Sequence, residues 1–491
     1  MVAATVATIG WVHGGTRGDL LNPVLPWLTV LMLEVSIAFP QRHHDETMFD
    51  ARERVWSALK GDPFVWTSLV FMLLLAVPFV NNSLCVSCGE WRFAVSKTAP
   101  IPFLPFCVDK MEHLNVFLWF AVSLSAATVV RHCLTPSGIR LVLSMIVWNG
   151  FALAALGFLQ NALDAPGPLW SSETKLPVNW GMGYFFSTFG YTNMAGCYFV
   201  MLFGLAVAMW RDTIRKVQLE YDIKDISNAA DKPPHLFWRS NYYLIPAVVL
   251  FYAALYSLSR AAISFAATCA VIYIVHAFVT YLSRLRTRLE KVRAFTVGIF
   301  AVCALIFAAT MFIPENVVKE VSTLNTVATL DRVSGRENNQ KRIATDIWRE
   351  NILFGCGGWG FGRLADMRAP KRRKPYIVLG GANVHNDYLQ FLAEHGTVGF
   401  GLLVAAVVML FWPVGRAWRE LLKRTRFLKK KDLPAKPVAI FILPAPVFCM
   451  MVADLCAMIH AFGDCPFRTP AIMSLFFVSL AAMPGFMPKS K

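Results

Sequence analysis

Eleven apolar runs recur along this chain of 491 residues and constrain its fold more than any other feature. A transmembrane helix needs about 20 mostly apolar residues, and Pro or Gly within it is tolerated where other helices surround it. We therefore predict an all-α polytopic membrane protein with about 11–12 transmembrane helices. The runs lie near residues 22–40, 64–80, 113–130, 141–160, 183–209, 241–259, 261–282, 294–314, 396–412, 437–461 and 470–487.

The composition of the chain excludes other classes of protein. Only 16% of the residues are charged and 56% are hydrophobic, whereas soluble domains usually contain about 25% charged residues. These numbers exclude a soluble multidomain enzyme, a coiled coil and a disordered chain. The formal charge of +16 is compatible with either a nucleic-acid partner or a membrane topology signal.

The distribution of Lys and Arg favours membrane topology. Alternate loops between the apolar runs hold 28 and 19 basic residues, and the contrast becomes 28 against 7 without the long segment 315–395. Short basic loops face the cytoplasm, whereas long loops cross membranes regardless of charge. We therefore expect residues 315–395 outside, basic residues of 413–436 against anionic membrane lipids, and no nucleic-acid partner. The chain then divides into N-terminal transmembrane helices (1–314), a large outer loop (315–395) and C-terminal transmembrane helices (396–491).

The end of the large loop has the pattern of a functional helix. Loops longer than about 15 residues are usually functional or disordered, and the many aromatic residues of this one argue against disorder. Asn386, Gln390 and Glu394 are spaced i, i+4, i+8 and would form one polar stripe. His385 would lie at the helix start, where the macrodipole disfavours imidazolium, so that the neutral ring accepts a proton near pH 7. The alternative is that His385 only caps or packs the helix.

Glycines and arginines mark further elements of a site. Residues 354–361, FGCGGWGF, match a dinucleotide fingerprint formally, but no βαβ unit surrounds them, so we predict a glycine-rich turn in which the backbone packs closely or takes a positive φ. Arg260 lies between two apolar runs, where a charge costs roughly 2.5–3.5 kcal/mol at mid-membrane; it is either functional or snorkels to the headgroups. Arg336, followed by Arg342, either binds phosphate or is merely solvated.

Cysteines and membrane acids leave alternatives open. Cys85, Cys88 and Cys107 share an outer loop and either form one disulfide in an oxidising compartment or remain thiols. One CxxC pair is too few ligands for a zinc site, and we expect no metal. Asp454 and His460 lie on or near an apolar run and suggest a rival class, a secondary transporter, although the inverted repeats of transporters are not evident.

Several motifs occur together in an order that resembles a known family. VHNDYLQFLAEHGTVGFG, which contains His385, resembles the signature of the O-antigen ligase and polymerase superfamily, integral membrane glycosyltransferases of the bacterial envelope. SLSRAA with Arg260, SGRE with Arg336 followed by FGCGGWGF, STFGYTNMAG with Asn193, and HAFGDCPFRTPA resemble its other elements. The resemblance covers roughly residues 183–483.

The resemblance implies a reaction. The protein would be a metal-independent, inverting glycosyltransferase that uses no cofactor. Its donor would be a glycan on undecaprenyl diphosphate, and it would act at the periplasmic face of the bacterial inner membrane. With a hydroxyl of lipid A–core as acceptor the protein would be an O-antigen ligase; with another lipid-linked glycan it would be an O-antigen or exopolysaccharide polymerase, which is the alternative.

The resemblance also implies roles for individual residues. His385 would act as base or orient the acceptor hydroxyl, while Arg260 and Arg336 would stabilise the charge that develops on the diphosphate. Because Gln340 stands where the family pattern has Trp, either Arg336 or Arg342 is the family's arginine. Substrate-binding roles are implied for Arg342, Asn386, Glu394 and Asn193.

Overall fold

A computed structural model gives the fold of much of the chain. The predicted span near 294–314, apart from Thr296, lies outside the described residues, as do Arg336, Cys88 and the side chain of Cys85. The described residues are 1–83, 85–87, 93–95, 101–170, 185–220, 234–283, 287, 289–290, 292–293, 296, 317–318, 340–368, 383–432 and 442–488.

Across the described residues the chain is helical apart from one short hairpin, in which β1 (Cys85–Ser87) pairs antiparallel with β2 (Phe93–Val95). Residues 340–350 are also helical. The helices are α1 Val2–Trp11, α2 Gly18–Leu21, α3 Leu25–Ala38, α4 Met48–Gly61, α5 Pro63–Ala76, α6 Lys110–His132, α7 Pro136–Ala162, α8 Thr192–Glu220, α9 Pro234–Asn241, α10 Leu244–Tyr256, α11 Arg260–Leu282, α12 Gly360–Arg368, α13 Asp387–Asp432, α14 Ala445–His460 and α15 Pro470–Ala482.

The predicted all-α polytopic membrane class is confirmed, but the predicted number of spans is not. In the described residues, α6, α7, α8, α11 and α13 are long and apolar enough to cross a membrane, and the bent pair of α4 with residues 63–79 would make six. Other apolar runs form helices of 10–17 residues. The count of eleven stays a prediction, because apolar character alone does not distinguish a full span from a short buried helix.

The chain forms two compact units, each assembled from separate stretches of sequence. The first unit comprises Met1–Val142, Thr326–Pro413 and Ala457–Gly485. The second comprises Leu143–Asn325, Val414–Cys456 and Phe486–Lys491. Packing within each unit joins residues that are distant along the chain, and the division into three consecutive segments stays a prediction.

In the first unit, α3, α5 and α15 pack against the central helix α6. The carboxylate of Asp109 begins α6 by accepting the backbone N–H groups of Met111 at 3.0 Å and Glu112 at 3.2 Å, which is the usual role of an Asp at this position. The buried hydroxyls of Ser123 and Ser474 lie 2.9 Å apart between α6 and α15. This pairing satisfies two polar groups within an apolar contact.

An apolar cluster in the first unit orders the described part of the large loop. Phe361 of α12 is fully buried in it, which confirms for this aromatic side chain the expectation of an ordered loop. The cluster joins the helical residues 340–350 and α12 to the start of α13. Its buried members are Val108, Ile343, Ala344, Ile347, Cys356, Phe361, Ala365, Val384 and Ala393.

In the second unit, α9, α10 and α11 pack against α8, whose apolar stretch is nearly all buried. The starts of α8 and α11 approach closely at Gly196. A Cβ at this position would lie 2.6 Å from the hydroxyl oxygen of Ser257 and would also collide with the side chain of Ala262. Glycine therefore permits a helix crossing that a larger residue would block.

Candidate functional site

His385 faces a buried carboxylate. Its Nδ1 atom lies 3.2 Å from Oδ1 of Asp464. The side chain of His385 is 30% exposed, whereas that of Asp464 is only 5% exposed. A carboxylate at Nδ1 favours the tautomer that carries its proton there, and this leaves Nε2 as a proton acceptor. The pair therefore has the arrangement of a general base held by an acidic partner.

Hydrogen bonds fix this carboxylate beside the start of α13. Residues 461–469, which we name the closing turn, connect α14 to α15. The backbone N–H of Asp387 donates to the carbonyl of Ala461 at 2.9 Å, and the N–H of Phe467 donates to Oδ2 of Asp387 at 2.8 Å. The hydroxyl of Tyr388 donates to the carbonyl of Met458 at 2.7 Å. The closing turn and α13 consequently hold His385 and Asp464 in register.

Asn386 begins α13, so His385 is not its cap. The side-chain oxygen of Asn386 accepts the backbone N–H of Leu389 at 3.0 Å, as an N-cap residue does. Its amide nitrogen donates to the carbonyl of Phe462 at 3.2 Å. His385 itself has a φ of 53°, a left-handed conformation that is uncommon outside glycine. Strained backbone of this kind is found at functional sites more often than elsewhere.

The predicted polar stripe on α13 exists, and it points into the protein. Gln390 and Glu394 are both fully buried, and Nε2 of Gln390 donates to Oε1 of Glu394 at 3.1 Å. Arg468 of the closing turn forms an ion pair with Oε2 of Glu394. Because its carboxylate is shielded and paired with protein groups, Glu394 is placed to position other residues.

Aromatic rings complete the surroundings of this ion pair. The guanidinium carbon of Arg468 lies 4.7 Å from the ring centre of Trp359 and 5.5 Å from that of Phe391. Cation–π contacts of this length are attractive and are stronger in desolvated sites. The backbone N–H of Trp359 also donates to Oε2 of Glu394 at 3.1 Å. The ion pair thus joins the closing turn, α13 and residues 354–361, which we name the glycine-rich loop.

The glycine-rich loop packs directly on α13, as its composition predicts. Gly355 and Gly357 have φ values of 70° and 82°, and the N–H of Gly357 donates to the carbonyl of Glu394 at 2.8 Å. A Cβ at Gly355 would collide with the Glu394 carbonyl group, and one at Gly357 would lie 2.6 Å from Cα of Cys107. Glycine is therefore required at both positions.

The predicted diphosphate-binding residues are distributed over both units. Arg260 is half-buried at the first position of α11, where Ser259 caps the helix by accepting the N–H of Ala262 at 3.3 Å. Asn193 lies in the first turn of α8 and donates from its amide to the hydroxyl of Tyr191 at 2.9 Å. Both residues belong to the second unit, in which α8 and α11 meet at Gly196.

The remaining predicted residues have different outcomes. Arg342 is exposed on the helical residues 340–350 of the first unit. Arg336 lies outside the described residues, so the choice between these two arginines stays a prediction. The proposed disulfide also stays a prediction, because of its three cysteines only the side chain of Cys107 is described, and that side chain is buried.

A third side chain lies beside the His385–Asp464 pair. The Sγ atom of Cys465 lies 3.4 Å from Oδ1 of Asp464. Burial raises the pKa of the Cys465 thiol well above its usual range, and the carboxylate of Asp464 acts in the same direction. His385, Asp464 and Cys465 each offer one atom that could bind a metal ion, and these three atoms all lie within 4.8 Å of one another. Among the described residues, they form the group of three or more such side chains that could hold a metal ion.

Asp464 and Arg468 have no role that the local sequence pattern reveals. Asp464 is separated from His385 by 79 residues, and helical periodicity carries no information across that distance. Both residues lie in HAFGDCPFRTPA, so the order of the motifs is the signal that points to them. Trp359 was visible as an aromatic residue of the loop, but its contact with Arg468 depends on the fold.

These elements define the class of the protein: a multi-pass α-helical membrane protein with a buried ionic network below a partly exposed His–Asp pair. Residues 245–404 match the model of a family described as O-antigen ligase. The match includes Arg260 and His385 and confirms the resemblance to the O-antigen ligase and polymerase superfamily. The family points to a glycosyltransferase-like enzyme that acts on lipid-linked glycans. No curated protein matches the chain.

Proposed function

We propose that the protein transfers a glycan from undecaprenyl diphosphate to an acceptor hydroxyl at the periplasmic face of the bacterial inner membrane. The observation that carries this proposal is the His385–Asp464 pair, at 3.2 Å, in a chain whose residues 245–404 match the O-antigen ligase family. Glycosyl transfer to a hydroxyl needs a base for the acceptor proton, and the exposed face of His385 supplies one.

The base acts on the acceptor. As the hydroxyl oxygen attacks the anomeric carbon, its proton passes to Nε2 of His385, and Asp464 stabilises the imidazolium that forms. The bond from the anomeric carbon to the diphosphate oxygen breaks, and the electron pair leaves with undecaprenyl diphosphate. Attack opposite the leaving group inverts the anomeric carbon. General-base catalysis of this kind contributes about 10²- to 10⁴-fold.

Cationic groups stabilise the leaving diphosphate. Arg260 stands at the N-terminus of α11, where the guanidinium and the helix dipole favour an anion together. Asn193 lies at the adjacent start of α8, and its amide is suited to a phosphate or sugar oxygen. Arg336 or Arg342 supplies a second cation from the large loop. With these groups the mechanism needs no metal, since the preplaced charges neutralise the developing negative charge.

The buried ion pair of Glu394 and Arg468 positions the catalytic residues. Glu394 and Arg468 fix the glycine-rich loop and the closing turn on α13, and therefore fix both His385 and Asp464. Asn386, half-buried beside His385, retains exposed surface next to the acceptor site. The substrate-binding role that we propose for Asn386 is compatible with its cap, whereas Glu394 acts from within the protein.

We assign lipid A–core as the acceptor, which makes the reaction that of an O-antigen ligase; the alternative is polymerisation onto another lipid-linked glycan. Deletion of the gene, followed by gel analysis of lipopolysaccharide, separates the two. A ligase defect removes all long-chain glycan from the core, whereas a polymerase defect leaves a single repeat unit. Unchanged lipopolysaccharide would exclude both acceptors.

The enzymatic class is tested in detergent. Purified protein should consume undecaprenyl-diphosphate glycan without any ion gradient, and H385A and R260A should retain only residual activity although they are expressed and inserted normally. Activity only in sealed vesicles with a gradient would instead indicate the rival secondary transporter. Full activity of well-expressed H385A would remove the catalytic assignment of His385.

The orientation has its own test. We place residues 315–395 outside the cytoplasm, since 28 of the basic residues lie in the opposite set of loops. A reporter fused near Lys374 should be active in the periplasm and inactive in the cytoplasm. The opposite pattern would overturn the orientation without affecting the fold.

A further inference from the structure

The third side chain at the His385–Asp464 pair has no part in the proposed transfer reaction. Cys465 is 3% exposed, and its Sγ lies 3.4 Å from the same carboxylate oxygen that faces His385. His460 approaches the other oxygen, with Nε2 3.8 Å from Oδ2 of Asp464. Beside the group of His385, Asp464 and Cys465 there is thus a second imidazole, that of His460, on the other carboxylate oxygen of Asp464.

The spacing of these atoms suits a tetrahedral ion. Zinc binds imidazole nitrogen and carboxylate oxygen at about 2.0–2.1 Å and thiolate sulfur at about 2.3 Å, so tetrahedral donor atoms lie about 3.3–3.5 Å apart. The observed separations from Oδ1 of Asp464 are 3.2 Å to Nδ1 of His385 and 3.4 Å to Sγ of Cys465. His460, whose Nε2 lies 3.8 Å from Oδ2 of Asp464, is the neighbouring side chain available as a fourth ligand.

The donor types select the ion. A thiolate with imidazoles favours zinc, whereas magnesium and calcium prefer sites made of oxygen ligands alone. The site also has an entrance, because the side chain of His385 is 30% exposed while those of Asp464 and His460 are 5% and 3% exposed. An ion would reach the carboxylate from the His385 side.

We propose that His385, Asp464 and Cys465, with His460 as fourth ligand, form an inhibitory site for zinc. On binding, the thiol of Cys465 loses its proton to solvent as the S–Zn bond forms. The ion takes the place of the proton between His385 and Asp464, and that proton moves to Nε2 of His385. A protonated Nε2 is a donor and is unable to accept the proton of an acceptor hydroxyl, so transfer stops. The inhibitory effect rests on the proposed function; the binding of the ion does not.

Cobalt provides a direct probe of the site. Purified, reduced wild-type protein titrated with Co²⁺ should develop the visible bands of tetrahedral cobalt and a sulfur-to-cobalt charge-transfer band, both abolished by added Zn²⁺. C465S should lose the charge-transfer band, and C465A provides the same test if the serine variant misfolds. C133S is the matched control, because Cys133 is another buried cysteine of the first unit. Absence of the band in wild type, or its persistence in folded C465S or C465A, would overturn the site.

Inhibition is measured separately. Zn²⁺ should inhibit glycan transfer by wild type and by C133S, and Mg²⁺ should not. In C465S, transfer without zinc should be unchanged, while inhibition should need at least about tenfold more zinc, the loss typical even of a group that only orients a metal ligand. If cobalt binds but wild type transfers no glycan, the proposed function fails and the metal site stands. If transfer occurs and zinc inhibits C465S and wild type equally, the inhibitory site is wrong.

Discussion

Replacing Asp464 by Asn tests whether the His385–Asp464 pair works as a unit. The amide oxygen of Asn can still accept the backbone N–H of Cys465, which lies 2.9 Å from Oδ1 in the wild type. The closing turn therefore keeps its local hydrogen bond. What changes is the charge that faces Nδ1 of His385 at 3.2 Å.

The expected loss follows from the hydrogen bond that changes. A hydrogen bond to a charged group contributes about 1.5–3 kcal/mol and a neutral one about 0.5–1.5 kcal/mol, so the change removes about 1–1.5 kcal/mol. If the proton transfer is rate-limiting, this corresponds to about a 5- to 13-fold lower kcat. If the amide turns its NH₂ toward His385, the wrong tautomer results, and the loss approaches the 10²- to 10⁴-fold of a missing base.

The assay is glycan transfer in detergent with kcat and KM measured separately. A group that acts only in the transition state lowers kcat and leaves KM unchanged. D109N is the matched control: Asp109 lies in the same unit, caps α6 and pairs with Arg363 at 3.1 Å. Since Asn caps helices as well as Asp does, this variant should transfer at the wild-type rate.

A double variant provides the sharper criterion. If Asp464 acts through His385, D464N should have no further effect in an H385A background, because residues of one catalytic unit are not additive. Wild-type kcat in folded D464N, or losses of D464N and H385A that multiply in the double variant, would refute the reasoning.

The remaining predictions concern the surroundings of the pair. G396A should lower the free energy of unfolding by at least about 1–3 kcal/mol, because Gly396 has φ 64° and ψ −175°, a region that only glycine tolerates; G401A, in open space, should lower it little, and equal thermal midpoints in detergent would contradict this. R468M should lower the free energy of unfolding by about 3–5 kcal/mol, because it leaves Glu394 charged and buried, and adding E394Q should restore most of this stability. No recovery of the thermal midpoint in the double variant would argue against the ion pair. R260K should keep the positive charge but lose the bidentate phosphate contacts, so its kcat should fall between those of wild type and R260A. A kcat of R260K equal to that of R260A would contradict this prediction, because the positive charge would then contribute nothing.

Local periodicity predicted the start of α13 well. The spacing of Asn386, Gln390 and Glu394 placed them on one helical face, and in the structure Gln390 and Glu394 are hydrogen-bonded to each other on that face. The pattern could not tell which surroundings that face has. A polar stripe beside apolar residues is equally typical of a solvated surface, and only the distant Arg468 makes full burial of Glu394 possible, since a buried charge requires a partner.

The other contacts of the site could not be predicted from the sequence, because they join residues that are far apart along the chain. The motif order indicated that the closing turn belongs with His385, but not that Asp464 contacts Nδ1. The lengths of the helices could not be predicted from hydropathy alone for a related reason. Helix length depends on where Pro, Gly and caps interrupt an apolar run, as in α4 and α5, which are bent by 65° at Asp62.

The break at Gly396 is the feature that reconciles a charged site with an apolar span. Before it, residues 387–395 bury polar groups; after it, residues 397–414 of α13 are apolar. A break normally leaves amide groups of the following turn without partners, but here the N–H groups of Thr397 and Val398 donate to the carbonyls of Ile352 at 2.8 Å and Leu353 at 3.1 Å. The residues that lead into the glycine-rich loop therefore replace the missing helical hydrogen bonds. It follows that the loop and the start of α13 form one structural element, so a substitution that displaces the loop should displace His385 from Asp464 as well.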